Sequence, residues 1–233
     1  MPELTLQAGE HTIRAGDLIQ CARLTLDNVA ASGNWYNLGG WACGGVIALA
    51  SITRGGTDDG RWEQCHSMIA VEWRGELYAL EFTAAGGIRR GMVLTPLKQR
   101  LDSYPGAIEI IPLSERYHHL FRADRVAIWI ERHWDDEYHV LGLLWAALHC
   151  GPSWARPGKL FCSEAVIKLL IYLGIIPERL RGWVGNHNGE GKVLPHRHAP
   201  CQAARIPQFA INKAWTYSRG ETCRSLRKSP VAA

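Results

Sequence analysis

Lys159-Leu160-Phe161-Cys162-Ser163-Glu164-Ala165-Val166 is the stretch on which the reading of this chain turns. Before it runs a Pro/Gly-rich loop, Gly151-Pro152-Ser153-Trp154-Ala155-Arg156-Pro157-Gly158. After it, Ala165, Val166, Leu169, Leu170 and Leu173 recur at helical spacing until Gly174 and Pro177 stop the run, which predicts a helix over about 162–174. Cys162 therefore falls at a helix N-terminus, where unpaired N–H groups and the positive end of the helix dipole favour thiolate, the nucleophilic form of cysteine. The same N–H groups suit the oxyanion of an acyl-transfer intermediate. A small apolar residue packed at a helix start is the alternative.

A nucleophile needs a base. The run Gln64-Cys65-His66-Ser67-Met68-Ile69-Ala70-Val71-Glu72-Trp73 reads as a strand, Arg74-Gly75 as a turn, and Glu76-Leu77-Tyr78-Ala79-Leu80-Glu81-Phe82-Thr83 as the returning strand. With Arg74-Gly75 as a two-residue loop, Trp73 faces Glu76 and Met68 faces Glu81. His66 and Met68 share a face, so Glu81 lies diagonally from His66, about 7–8 Å away between backbones and within reach of a long side chain. A three-residue loop would put Glu81 on the wrong face. Cys162, His66 and Glu81 thus form a candidate nucleophile, base and orienting carboxylate. Imidazole takes the thiol proton, and the carboxylate fixes its tautomer and stabilises the imidazolium.

At these residues the chain resembles the circularly permuted papain-like cysteine hydrolases of the YaeF/YiiX type, relatives of the NlpC-type cell-wall peptidases. The resemblance rests on four short motifs in order, over roughly residues 13 to 175. They are Ala15-Gly16-Asp17-Leu18-Ile19-Gln20; His66-Ser67-Met68-Ile69-Ala70-Val71; Leu80-Glu81-Phe82 with a Gly-rich turn through Gly86-Gly87-Ile88 to Met92-Val93-Leu94; and Phe161-Cys162-Ser163-Glu164. It implies catalytic Cys162, His66 and Glu81, and an amide-cleaving peptidase acting through an acyl-thioester on cell-wall-type peptide. A lipid ester or thioester hydrolase, or an acyltransferase, with the same site is a second expectation, and a non-catalytic binding protein on the same fold a third. The implied fold is α+β, permuted papain-like, with an antiparallel sheet packed against helices that include the nucleophile helix.

The chain departs from the pattern in its spacer. About 45 residues separate the Gly-Asp-Leu-Ile strand from His66, and residues 22–62 read as an insertion in one domain spanning 1–233. From about 180 the chain reads as a loop-rich C-terminal extension, with Pro195, Pro200 and Pro207.

Strands are expected at 12–21, 66–73, 77–83, 88–94 and 107–112. Helices are expected at Thr95–Tyr104, Arg122–His133 and Asp135–His149. Strands first and helices later suggests helices on one face of the sheet.

Composition limits the alternatives. With 233 residues, 47% hydrophobic and 21% charged, the chain has the make-up of a globular protein. The net charge of +4 lies partly in Arg219, Arg224, Arg227 and Lys228, a solvated tail, and no motif supports nucleic-acid binding. Seven cysteines, at 21, 43, 65, 150, 162, 201 and 223, are odd in number and widely spread, which favours free thiols in a reducing compartment. The start, Met1-Pro2-Glu3-Leu4-Thr5-Leu6, lacks the basic and apolar regions of a secretory signal, so the default location is cytoplasmic. No apolar run is long enough for a transmembrane segment. His196-Arg197-His198 with Cys201 lacks a fourth ligand at a zinc spacing, so no metal and no cofactor is expected. His187, His118-His119 and His149-Cys150 read as turn, helix-end or surface residues. The expected partner is a peptide, peptidoglycan-like or acylated substrate.

Overall fold

The structure is a computed structural model that describes residues 4–32, 45, 64–83, 91–138, 159–177, 203, 206–218 and 223–227. In chain order the elements are β1 (Leu4–Ala8), β2 (His11–Arg14), β3 (Leu18–Ala22), α1 (Leu26–Ser32), β4 (Gln64–Trp73), β5 (Glu76–Thr83), β6 (Gly91–Pro96), α2 (Leu97–Ser103), β7 (Ile108–Ile111), α3 (Glu115–His118), α4 (Ala123–His133), β8 (Glu137–Tyr138), β9 (Lys159–Leu160) and α5 (Cys162–Tyr172). A short 3-10 turn (Ile211–Lys213), β10 (Trp215–Tyr217) and β11 (Cys223–Arg227) follow.

The fold is α+β. Among the described residues the main sheet has eight strands in the order β10-β7-β3-β4-β5-β6-β8-β9, and a second sheet has three, β11-β1-β2. Every pairing is antiparallel except β8 with β9. No helix among these residues is long and apolar enough to cross a membrane. Most of the expected insertion at 22–62 lies outside the described residues. Of the expected loop-rich extension, the described part includes β10, which extends the main sheet beside β7, and β11, which pairs with β1.

The hairpin at the centre follows from its turn. Arg74 and Gly75 have φ of +50° and +82°, the left-handed pair whose twist suits a two-residue hairpin. Trp73 pairs with Glu76 and Ile69 with Leu80, the register expected of that loop.

Both faces of the sheet are covered. On one, Leu18, Ile69, Val71, Leu80 and Phe82 pack with Val126, Trp129 and Ile130 of α4 and with Val166, Leu169 and Leu170 of α5. On the other, Ile19, Met68, Ala70, Ala79 and Ile110 pack with Leu97 and Leu101 of α2 and with Leu6, Ala8 and Ile13 of the small sheet. This corrects the expectation of helices on one face only. Residues 67–71 are buried without a break, as a strand covered on both sides requires.

The strand expected at 12–21 is divided. Gly16 has φ of +100°, and a Cβ there would lie 2.8 Å from Leu113 Cδ2, so the chain turns where only glycine fits. Asp17 holds the turn from a fully buried position: its carboxylate accepts the Arg14 N–H at 2.8 Å and the Leu113 N–H at 2.9 Å. The expected helix at Asp135–His149 is also corrected at its start. Glu137–Tyr138 is a strand paired with Gly91 and with Lys159–Leu160, and 139–149 lie outside the described residues. The strand expected at 88–94 begins, in its described part, at Gly91. The short helix begins at Leu97 rather than Thr95, because Thr95 and Pro96 still pair with β5.

Asp17→Ala would leave two backbone donors without an acceptor. At roughly 1–3 kcal/mol for each unsatisfied group, urea unfolding should show a loss of about 2–6 kcal/mol. A loss below about 0.5 kcal/mol would show that these bonds do not hold the turn.

Candidate active site

Cys162 is the first residue of α5, with Phe161 as its extended N-cap (φ −114°, ψ 170°). The far end of the helix is fixed by Gly174 (φ +77°), with bonds from Gly174 N–H to Ile171 O and from Ile175 N–H to Leu170 O, both 2.9 Å. These two bonds form a Schellman motif, which stops the helix where the sequence places Gly174. Leu169 and Leu170 anchor it to the sheet.

His66 lies beside an irregularity in β4. Cys21 of β3 pairs with His66 and Ala22 pairs with Gln64, so Cys65 is an extra residue, a β-bulge. Bulges re-aim neighbouring side chains. The hairpin register then brings Glu81 to His66. His66 Nε2 is 2.7 Å from Glu81 Oε2, with side chains 16% and 4% exposed. The Cys162 thiol, 1% exposed, is hydrogen-bonded to His66 and is approached by the backbone N–H groups of Ser67 and Ser163. Because Nε2 is engaged by Glu81, Nδ1 is the ring nitrogen left for the thiol. The structure thus brings all three predicted residues together.

A fourth residue was not anticipated. Arg100 of α2 donates from Nε to Glu81 Oε1 at 2.6 Å and from Nη2 to Glu81 Oε2 at 3.0 Å. The sequence held a signal: Leu97, Arg100, Leu101 and Tyr104 follow the i, i+3, i+4, i+7 spacing of one helix face. Leu97, Leu101 and Tyr104 are buried, so an arginine in that stripe points at the core and needs a partner there.

The electrostatics follow from these contacts. Burial pushes the Cys162 thiol up, but the hydrogen bond and positive charge of His66, with the Ser67 and Ser163 N–H groups, leave it below its ordinary value. Burial pushes His66 down, and its bonds to Cys162 and Glu81 reverse this and raise it from 6.5 to about 9. Glu81 is lowered from 4.5 to about 2: burial opposes ionisation, and the His66 hydrogen bond and the Arg100 charge overcome it. These contacts favour thiolate and imidazolium together, beside an ionised carboxylate and a guanidinium.

Two other thiols are close by. Burial raises Cys21 well above the usual range and Cys65 from 9.0 to about 12. Ser163 is fully buried. Glu164 is also buried, which raises its carboxyl, and Lys168 Nζ lies 3.0 Å from its Oε1. His118, at the end of α3, is bonded through Nε2 to Leu113 O. Among the described residues no group of three or more His, Cys, Asp or Glu side chains is arranged to hold a metal ion. His149, Cys150, His187, His196, His198 and Cys201 lie outside those residues.

No protein-family model matches the chain, and no curated protein matches it. Among solved structures it is similar to a crystal structure of the metalloprotein yiiX (DUF1105) from Escherichia coli O157:H7, at 15% identity and a TM-score of 0.49, over 90% of this chain and 99% of that one.

The shifted groups set a pH window for stability. The folded state holds the His66 proton more tightly than the unfolded chain does, so its contribution is complete below pH 6.5 and is lost as pH rises through about 9. The folded state holds the Glu81 proton less tightly, so its contribution is complete above pH 4.5 and is lost as pH falls through about 2. Urea midpoints should fall on both sides of the pH 4.5–6.5 window. The alkaline fall should be smaller in His66→Gln, and an equal fall in both proteins would rule out the raised His66.

Proposed function

We propose that this chain is a cysteine hydrolase of the permuted papain-like kind, one domain that cleaves an amide bond in a peptide, most simply of cell-wall type. The observation behind the proposal is the contact of Cys162 with His66 at a helix N-terminus, with His66 in turn bonded to Glu81. The resemblance in the Gly-Asp-Leu-Ile, His, Glu and Phe-Cys-Ser-Glu motifs supports the same assignment.

In the proposed reaction the Cys162 thiolate attacks the carbonyl carbon, and the C=O electron pair moves onto oxygen. Backbone N–H groups at the start of α5 have no helical acceptor and can receive that charge. The C–N bond then breaks, the nitrogen takes the proton from His66 Nδ1, and a thioester remains on Cys162. Neutral His66 next takes a proton from water as the water oxygen attacks the thioester. The C–S bond breaks, releasing the acid and restoring the thiolate–imidazolium pair. Glu81 stabilises the imidazolium in each half without taking its proton.

The amide reading is favoured over the ester reading by the availability of a proton donor. An amine leaves only when protonated, and an imidazolium that persists to about pH 9 is available for that at neutral pH.

Iodoacetamide labelling tests the assignment, with the modified residue located by mass spectrometry. Between pH 6 and 8 Cys162 should react while Cys21 and Cys65, held as thiols by burial, stay silent. The Cys162 rate should show an inflection below about 8.5, the free-cysteine value, and His66→Ala should move it up. On a panel of short peptides with a chromogenic amide, Cys162→Ala should lower turnover roughly 1000-fold or more. An ordinary inflection that His66→Ala leaves in place would overturn the reading.

A further inference from the structure

Among the described residues that contact the Cys162–His66–Glu81 set, Arg100 is a charged group to which the proposed reaction gives no task. Its placement is costly. The guanidinium is largely buried, with its side chain 18% exposed, and a buried charge that merely fills space would be replaced by an apolar residue without loss. Two features hold it in place. Leu97 and Leu101 root α2 in the core, and the guanidinium carbon stands 5.4 Å from the centre of the Tyr104 ring, a cation–π distance. Tyr104 is itself anchored through its hydroxyl, which donates to Ala22 O, next to the bulge that carries His66.

The contact with Glu81 is a fork on a fork. Nε meets one carboxylate oxygen and Nη2 the other, at 2.6 and 3.0 Å. Such a pair fixes the plane of the carboxylate as well as its charge. Once that plane is fixed, Oε2 is aimed at His66 Nε2, 2.7 Å away. An ionised carboxylate only accepts, so Nε2 must carry a proton and Nδ1 is the nitrogen presented to Cys162.

We propose that Arg100 is a positioning residue for the Cys162–His66 pair, acting through Glu81: its guanidinium fork locks the carboxylate that sets the tautomer and orientation of the imidazole. The proposal rests on the hydrolase reading. It makes the working unit a chain of four side chains drawn from four elements, α5, β4, β5 and α2.

Because the action runs through Glu81, a double-mutant cycle tests it. The readout is the pH inflection of Cys162 alkylation in wild type, Arg100→Met, Glu81→Gln and the double variant. Arg100→Met should raise the inflection by up to about one pH unit, because a Glu81 carboxylate freed from the fork holds the imidazolium beside the thiolate less well. In the Glu81→Gln background Arg100→Met should add no further shift. Arg100→Lys restores the charge without the fork, and should recover only part of the change.

A direct view comes from the ring nitrogens of His66 by 15N NMR above pH 9. Wild type should hold the Nε2–H tautomer, and Arg100→Met should show a mixture. Should Arg100→Met leave Glu81 too exposed to an unpaired charge to fold, the double variant removes that charge and Arg100→Lys retains a partner, so the comparison with Glu81→Gln still stands.

An Arg100→Met inflection equal to wild type overturns the proposal, as does a shift that persists in the Glu81→Gln background. Full recovery by Arg100→Lys overturns the claim that the fork matters. An ordinary inflection in wild type itself would instead sink the hydrolase reading.

Discussion

The Glu81 carboxylate is the constraint on which the site depends. It is nearly inaccessible to water, yet it is held ionised. An isolated carboxylate in such a place would be neutral, because burial penalises the charged form by several kcal/mol. It stays charged because positive groups reach it from two sides, His66 along the sheet and Arg100 from the helix above it. The dependence is mutual. Without the carboxylate, His66 would have only its contact with Cys162 to set against burial, and Arg100 would lose the anion it is forked to. The four charges, two of each sign, can occupy this interior only as a set.

The fold supplies that set by covering its sheet on both faces. His66 and Glu81 belong to the face of β4 and β5 that carries Met68, Ala70 and Ala79, the face under α2, so Arg100 comes from above that face. Helix α5 packs on the opposite face through Leu169 and Leu170. Its first residue, Cys162, nevertheless touches His66. The contact occurs at the beginning of β4, where the extra residue Cys65 breaks the strict alternation of sides. Nucleophile and base meet at the rim of the sheet, next to that bulge.

This logic explains what was legible in the sequence. The two-residue turn at Arg74-Gly75 fixes the hairpin register by local chemistry, and with it the approach of Glu81 to His66. Gly174 ends α5 for an equally local reason. The rest depended on residues far apart in the chain. Arg100 shares the apolar stripe of a short helix, but its partner could not be read until the position of α2 over the hairpin was known. The bulge at Cys65 has no signature in Gln64-Cys65-His66, since it is defined by the partner strand. Gly16 divides the first expected strand because Leu113 and Phe121, about a hundred residues later, leave no room for a side chain. Glu137–Tyr138 resembles a helix start in its acidic run and is instead drawn into strand pairing by Gly91 and Lys159.

The three buried thiols show why burial by itself says little about reactivity. Cys21, Cys65 and Cys162 are all hidden from water, and burial pushes each of them towards the neutral form. Cys21 lies directly across from His66 in the sheet, and Cys65 is its neighbour in sequence, so all three share one small region. Only Cys162 is turned the other way. It has the imidazole as a hydrogen-bond partner and the N–H groups of Ser67 and Ser163 around its sulfur, whereas Cys65 meets the Tyr104 hydroxyl and feels the negative charge at Cys162. Thiolate formed at one sulfur raises the cost of forming it at the next. The arrangement that ionises Cys162 therefore also keeps its neighbours protonated, and the distinction among three similar side chains comes from the direction of a few N–H groups and one imidazole rather than from depth in the protein.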